Sequence, residues 1–395
     1  MITITRSSDC CGCNACAQRC PKKCITLIAD HEGFLYPQIN IDSCIDCGLC
    51  EKVCPIINSK KQSLPPEKVI AAINPDENIR MNSSSGGVFS LLAEQIIKEN
   101  GVVFGAKFDD NWQIVHDYTD TIDGLDNFRG AKYVQSKIGN SFILAEKFLQ
   151  DGRKVLFSGT PCQIAGLKLY LKKEYINLFT VDIICHGVPS PKIWDLYLRS
   201  IYKDVTNIKK INFRDKASGW KNYKFHIEYN PIVKNSSNSI IKDFNEPFYK
   251  NIYMKGFLSN LYLRPSCHKC PCKPGKYRSD MTIADFWGAD IENPEMDDDK
   301  GLSLILCHSE KASYFKFIRS KEISYQTVLK YNPSVEINMP PHAKRDFFFN
   351  EVNINNVIYL IQQLTRPSLK QKITNNRFIN KLKFIYKKWL QNDRN

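Results

Sequence analysis

The chain has 395 residues, 43% hydrophobic and 24% charged, with a formal charge of +14. This is globular composition, long enough for a small domain beside one large or two medium ones. No apolar run approaches the ~18 residues that span a bilayer, and residues 1–6 are not followed by the apolar segment of a secretory signal. A cytoplasmic protein with reduced thiols is therefore expected. Its sixteen cysteines then read as metal ligands or reactive thiols, not as a disulfide framework.

Ten of those cysteines fall between Cys10 and Cys54, in the first expected domain, residues 1–58. Two runs stand out: Cys10-x2-Cys13-x2-Cys16-x3-Cys20-Pro21 and Cys44-x2-Cys47-x2-Cys50-x3-Cys54-Pro55. Each repeats the bacterial ferredoxin spacing. Three cysteines two residues apart wrap one corner of a cubane, and the fourth reaches across to the other cluster. The spacing assigns Cys10, Cys13, Cys16 and Cys54 to one 4Fe–4S cluster. It assigns Cys44, Cys47, Cys50 and Cys20 to the other, with Ile25, Ile45, Val53 and Ile56 as shielding. Structural zinc would use separated pairs, four ligands per ion, and does not account for two triple runs. Cys11 and Cys24 lie outside the pattern.

Residues 59–68, polar and proline-bearing, read as a linker. Beyond them the spacing of apolar residues predicts a helix over 87–98 and strands over 102–104 and 112–115. A strand over 154–157 leads into a helix over 162–171, and a strand over 178–184 into a helix over 191–201. Further strands are expected at 208–213, 223–229 and 302–306. Strands alternating with helices predict an α/β (α+β) body over 69–320, divided into 69–150 and 151–320. Residues 321–395 are expected as a basic helical tail.

The body carries seven words in order: Ser84-Ser-Gly-Gly-Val-Phe89, Gly130-Ala-Lys-Tyr-Val-Gln-Ser136, Gly159-Thr-Pro-Cys-Gln163, Asp182-Ile-Ile-Cys-His-Gly-Val-Pro-Ser190, Phe213-Arg-Asp-Lys216 with Gly219-Trp220, Arg264-Pro-Ser-Cys-His-Lys-Cys270 and Asp280-Met-Thr-Ile-Ala-Asp-Phe-Trp-Gly288. Over roughly residues 1–310, this order and the cysteine-rich head resemble the beta subunit of the coenzyme factor-420 (deazaflavin) hydrogenase/dehydrogenase family. The resemblance implies an iron–sulfur flavoprotein: a two-cluster ferredoxin-like head on an α/β body that binds FAD and one further cubane. Relatives of that kind pass electrons between a deazaflavin and iron–sulfur chains, or reduce other organic substrates.

Read on their own, the serines and glycines before the 87–98 helix fit either a capped loop or a phosphate cradle at a helix N-terminus. With the resemblance, Ser84, Ser85, Gly86 and Gly87 are placed against the FAD pyrophosphate. Lys132 and Tyr133 are candidates for phosphate and flavin contacts, with surface lysine and core tyrosine as the ordinary alternatives. Cys162 and Cys185 each follow a strand, at the carboxyl edge where ligands bind in open α/β sheets. Cys267 and Cys270 bring two more thiols, enough for a third 4Fe–4S cluster, although Cys272 competes with Cys270 for the fourth place. Cys307 reads as core. His186 and Lys216 are the catalytic candidates, and Arg214 is a candidate anion binder. Asp285 reads as a loop cap, and Asp297, Asp298 and Asp299 as a solvated loop.

From Arg366 onward nine basic side chains face a single acid, Asp393. Phe378, Leu382, Ile385 and Trp389 recur at helical spacing there. A basic amphipathic helix packed on its own domain, on an anionic membrane surface or on an acidic partner is expected, and nucleic acid is not. The expected partners are a redox protein, such as a ferredoxin or another oxidoreductase subunit, and a hydride carrier or small organic substrate. An enzyme passing electrons between FAD and clusters is the leading reading. A non-enzymatic electron-transfer subunit is the alternative.

Overall fold

The computed structural model describes residues 1–58, 64–202, 204–230, 242–273 and 278–366. The amphipathic segment expected around Phe378 and Trp389 lies outside them. Thirteen strands are described: β1 (Ile25–Ala29), β2 (Leu35–Ile39), β3 (Lys68–Ile73), β4 (Val102–Phe108), β5 (Ile114–Thr119), β6 (Val155–Gly159), β7 (Leu178–Ile183), β8 (Ile208–Asp215), β9 (Lys224–Tyr229), β10 (Lys242–Pro247), β11 (Met281–Asp285), β12 (Ser303–Cys307) and β13 (Arg319–Glu322).

The body is built on an eight-stranded sheet in the order β13-β3-β12-β11-β7-β6-β4-β5. Its centre, β4, β6, β7 and β11, is parallel. The outer strands join antiparallel: β5 on one side, β12, β3 and β13 on the other. The central strands are near-continuous apolar runs because both faces are covered. Val155, Leu156 and Phe157 are all buried. One face carries Pro161–Leu171 and Ser141–Gln150, the other Val88–Lys98. In Val88–Lys98 the buried residues Val88, Leu92, Ala93, Ile96 and Ile97 recur at the 3.6-residue period.

A second sheet, β10-β9-β8, is antiparallel and packs its inner face on an aromatic core around Trp194, Tyr197, Phe213, Phe225 and Tyr253. The helices Arg345–Glu351 and Val357–Leu364 add Phe348, Phe349, Leu360 and Ile361 to that core. β13 straddles the boundary expected at residue 320 and pairs with β3. The head is the β1–β2 hairpin with short helical turns, among them Ala15–Arg19 and Leu49–Lys52. The architecture is thus α/β with a small ferredoxin-like head and helices at the C-terminal end of the described chain. No described helix is long and apolar enough to cross a membrane.

Some sequence expectations shift. Trp112 stands at φ +60° in a turn, so β5 begins later than the expected 112–115 strand. The run 297–299 is not a free solvated loop. Asp298 receives the buried Arg80 guanidinium at 2.8 Å, Asp297 pairs with Lys221, and Asp299 accepts from the Lys221 amide at 2.9 Å. Asp297 and Asp298 answer cations, and Asp299 a backbone amide, that only the fold brings beside them.

Candidate functional site

In the head, two backbone loops 34 residues apart share one geometry. Gly12 and Asn14 in the first, Asp46 and Gly48 in the second, all hold positive φ. That winding turns successive cysteines inward. Cys10, Cys13, Cys16 and Cys54 line one cavity with Ile2, Ile4, Leu27 and Pro37. Cys20, Cys44, Cys47 and Cys50 line the other with Ile25, Ile39 and Ile45. Backbone amides already point at sulfur, Gly12 to Cys10 at 3.4 Å and Ile2 to Cys50 at 3.3 Å. Such bonds stabilise a reduced cluster. Burial lifts the Cys16 thiol to about 12, a cost that a metal reverses by binding the thiolate. The thiols of each set ring one cavity.

The two cysteines outside the ferredoxin pattern are not bystanders in space. Cys24 Sγ lies 3.4 Å from Cys20 Sγ. The Cys11 thiol lies against Cys13 and, across the junction with the body, against Cys162. Nothing in the spacing distinguishes Cys11; only the docking of head on body does.

In the body, Gly159 ends β6 and Thr160 caps the helix Pro161–Leu171, its amide donating to Gln163 Oε1 at 2.9 Å. This holds Cys162 in the first helical turn. Cys185 follows β7, and Cys267 and Cys270 come from the turn around Pro265–Lys269. Cys162, Cys185, Cys267 and Cys270 interact with one another electrostatically, whereas Cys272 interacts with Cys270, Cys162 and Cys11. Cys267 Sγ accepts from the Val188 amide at 3.4 Å. Burial pushes Cys267 up to about 12 and Cys185 well above the usual thiol range. The Cys272 hydrogen bond draws Cys270 down to about 7.

Beside this group lies a cavity of about 510 Å³ at the carboxyl edge of the parallel strands, within the range of cofactor sites. Ser84, Ser85 and Gly87 form one wall; Gly86 does not line it. A Cβ on Gly86 would sit 2.6 Å from Ala72 O and Ser303 N, so this glycine lets the loop lie on β3 and β12. Lys132 lines the cavity and donates to Arg129 O at 2.9 Å, and burial lowers its pKa to about 7. Arg129 in turn donates to Ser90 Oγ at 3.0 Å, in the first turn of the Val88 helix. The Tyr133 ring stacks on Phe257 at 4.7 Å. His186 shares a 2.7 Å hydrogen bond between Nε2 and Asn260 Oδ1, and burial lowers its pKa. Cys185 belongs to both places: it joins the thiol group and lines the cavity.

Lys216, a catalytic candidate by sequence, does not line the cavity. Its ammonium is held behind the serine loop by three carbonyls, Arg80 O at 2.6 Å, Ser85 O at 2.8 Å and Lys300 O at 2.7 Å. Arg214, 5% exposed, pairs with Asp285 and faces the Tyr223 ring at 4.5 Å. Asp285 is therefore an ion-pair partner rather than a loop cap. His116 was not foreseen: it bridges Ser136 Oγ at 2.9 Å and Ser158 O at 3.0 Å on the cavity wall. An isolated histidine on a strand carries no signal until β5 and β6 are placed near each other.

Residues 9–56 match the 4Fe-4S dicluster domain, and residues 152–327 match the family that describes the C terminus of the coenzyme F420 hydrogenase/dehydrogenase beta subunit. The chain is 23% identical over 231 residues to one of the subunits of the F(420)H(2) dehydrogenase of Methanosarcina mazei, covering 54% of this chain and 61% of that one. Over 54 residues it is 41% identical to a seven-iron ferredoxin of Hydrogenibacillus schlegelii, 14% of this chain and 63% of the ferredoxin. The chain thus spans less than two thirds of either relative. A solved chain of the F420-reducing nickel–iron hydrogenase complex from Methanosarcina barkeri aligns over 77% of this chain and 93% of its own length, with 16% identity and a TM-score of 0.42. The body thus resembles the C-terminal part of the coenzyme F420 hydrogenase/dehydrogenase beta subunit over residues 152–327, and the head resembles a 4Fe–4S dicluster domain.

Proposed function

We propose that this chain is a flavin-dependent iron–sulfur oxidoreductase subunit. Two cubanes sit in the head on the eight cysteines named above. A third sits on Cys162, Cys185, Cys267 and Cys270, and FAD fills the cavity. The observation that carries the reading is continuity: Cys11 links the first head set to the body thiols, and Cys185 links those thiols to the cavity. Cys47, at the second head set, is exposed, with Ile41 and Ile45 70% and 58% exposed nearby. That rim is where a protein partner exchanges electrons, so the order runs rim, second set, first set, body set, cavity, in either direction.

FAD, when bound, exchanges electron pairs with a hydride carrier or organic substrate and single electrons with clusters. The residues of the cavity do the rest. Ser84, Ser85 and Gly87 offer hydroxyls and backbone amides at the N-terminus of an eleven-residue helix, where negative charge is favoured. Lys132 and Arg129 offer donors on that side, Lys132 with a pKa that burial lowers to about 7 and Arg129 already paired with Asp126. Tyr133, fixed on Phe257, offers a ring face. His186 gives its Nε2 hydrogen bond to the Asn260 carbonyl, which leaves Nδ1 as the proton acceptor of the neutral ring. The two-electron partner is a deazaflavin carrier, the cofactor in the name of the Methanosarcina mazei relative.

Anaerobic purification with iron, sulfide and flavin counted per chain tests this. The expected result is about twelve iron, four per cubane, and about one FAD. About eight iron would remove the body cluster. Absence of flavin after gentle purification would remove the enzyme reading and leave an electron-transfer subunit.

A further inference from the structure

Four arginines are buried among the described residues: Arg80, Arg214, Arg264 and Arg345. Three of them meet a carboxylate, Asp298, Asp285 and Glu32 respectively. Arg264, 0% exposed, has no carboxylate within ion-pair distance among the described residues. Its donors go to neutral oxygens instead: Nε to Cys10 O at 2.8 Å, Nη1 to Gln135 Oε1 at 2.9 Å and Nη2 to Leu35 O at 2.9 Å. Gln135 continues the bracket by donating to Cys11 O at 3.0 Å. Tyr36 and Phe34 rings cover the guanidinium at 4.5 and 5.3 Å.

The place of this cation is specific. Arg264 opens the turn that carries Cys267, a body thiol, while its fork grips the loop that carries Cys10, a head thiol. The titratable groups that act on it most are Cys10, Tyr36, Cys11 and Cys267. A Cβ on Gly12 would lie 2.8 Å from Nη1, so the head loop has a glycine where the guanidinium passes. A buried cation that meets only neutral oxygens carries a desolvation cost, which negative charge close by offsets. A cubane on four thiolates is a net anion, and it becomes more negative on reduction.

We propose that Arg264 is the positioning residue of the head–body junction: it clamps the first head cluster onto the body cluster and supplies the positive charge that favours the reduced state of both. This rests on the cluster assignments of the proposed function. The second head cavity, lined by none of the residues Arg264 contacts, is the internal reference.

The experiment is a potentiometric titration followed by electron paramagnetic resonance on the full chain, wild type against Arg264→Gln and Arg264→Lys, with iron counted in each. A wild-type count of about eight iron fails the body-cluster assignment and is read apart from the variants. In Arg264→Gln, the first head cluster and the body cluster are each expected to be at least tenfold less reduced at a fixed potential, a shift of about 59 mV for one electron. The second head cluster is expected to stay put. Arg264→Lys keeps the charge but loses the fork; its potentials should stay within about twofold of wild type while amide exchange in the Cys10–Gly12 loop speeds up. Iron-replete Arg264→Gln with unmoved potentials, or with all three shifted alike, overturns the proposal. If Arg264→Gln loses iron, Arg264→Lys decides: retained iron and potentials with a looser loop support the proposal, and lost iron or a tenfold shift overturns its electrostatic half.

Discussion

The side chains around the cavity divide into those that face it and those that hold the facing ones in place. Lys216 is of the second kind, three carbonyls on one ammonium. Lys216→Ala leaves those carbonyls without their donor and frees the Ser83–Gly87 loop. We expect flavin affinity to fall about tenfold, the equivalent of ~1.4 kcal/mol, with iron content unchanged, as measured by flavin fluorescence on titration. His116 carries a pH consequence. Burial lowers its pKa from 6.5 to about 4, so the unfolded chain binds the extra proton between those values. Stability is therefore present above pH ~6.5 and lost as pH falls toward 4, by up to about 3 kcal/mol from this group. Asp182 opposes it in part: burial raises it from 3.8 to about 6, which favours the fold as pH falls through that window. His116→Gln should flatten the acid limb of a melting-temperature profile between pH 6.5 and 4; an unchanged slope would show that other groups dominate.

At the scale of elements, the body thiols come from three separate connections after β6, after β7 and around Pro265–Lys269. Spacing left Cys270 and Cys272 both open, and the two lie against each other; we propose Cys270 as the ligand because it also acts on Cys185 and Cys267. Cys270→Ser is accordingly expected to lower iron from about twelve to about eight per chain, and Cys272→Ser to leave it near twelve. The reverse outcome would exchange their roles. Elements with strong periodicity were legible: the helix after Gly87, the strand and helix around Thr160, the strand before Cys185. β3 and β13 were not, because their pairing joins residues far apart in sequence and β13, Arg-Ser-Lys-Glu, is exposed along its length. For the site, motif words named Tyr133, Cys185 and His186, all of which line the cavity. They also named Lys216 and Gly86, which support its wall, because a sequence word records that a residue matters locally and not which way it turns.

Across the whole molecule, the head is bound to the body by more than the thiol junction. Glu32, in the β1–β2 turn, is buried and receives Arg345 in a forked pair, one arm at 2.7 Å, while Lys192 donates to His31 O at 2.6 Å. Breaking a buried pair by removing one partner costs about 3–5 kcal/mol. Arg345→Met should therefore lower the melting temperature and speed proteolysis of the hairpin, and Glu32→Gln with Arg345→Met together should recover part of the loss, since no charge is then left buried. Equal losses in the single and double variants would show that the pair is not the anchor.

That pair spans 313 residues of sequence. On the ribosome, the hairpin emerges long before the arginine that answers its carboxylate exists. The head therefore waits for a residue made 313 positions later, and its final seating follows any cluster assembly that acts on the head as it emerges.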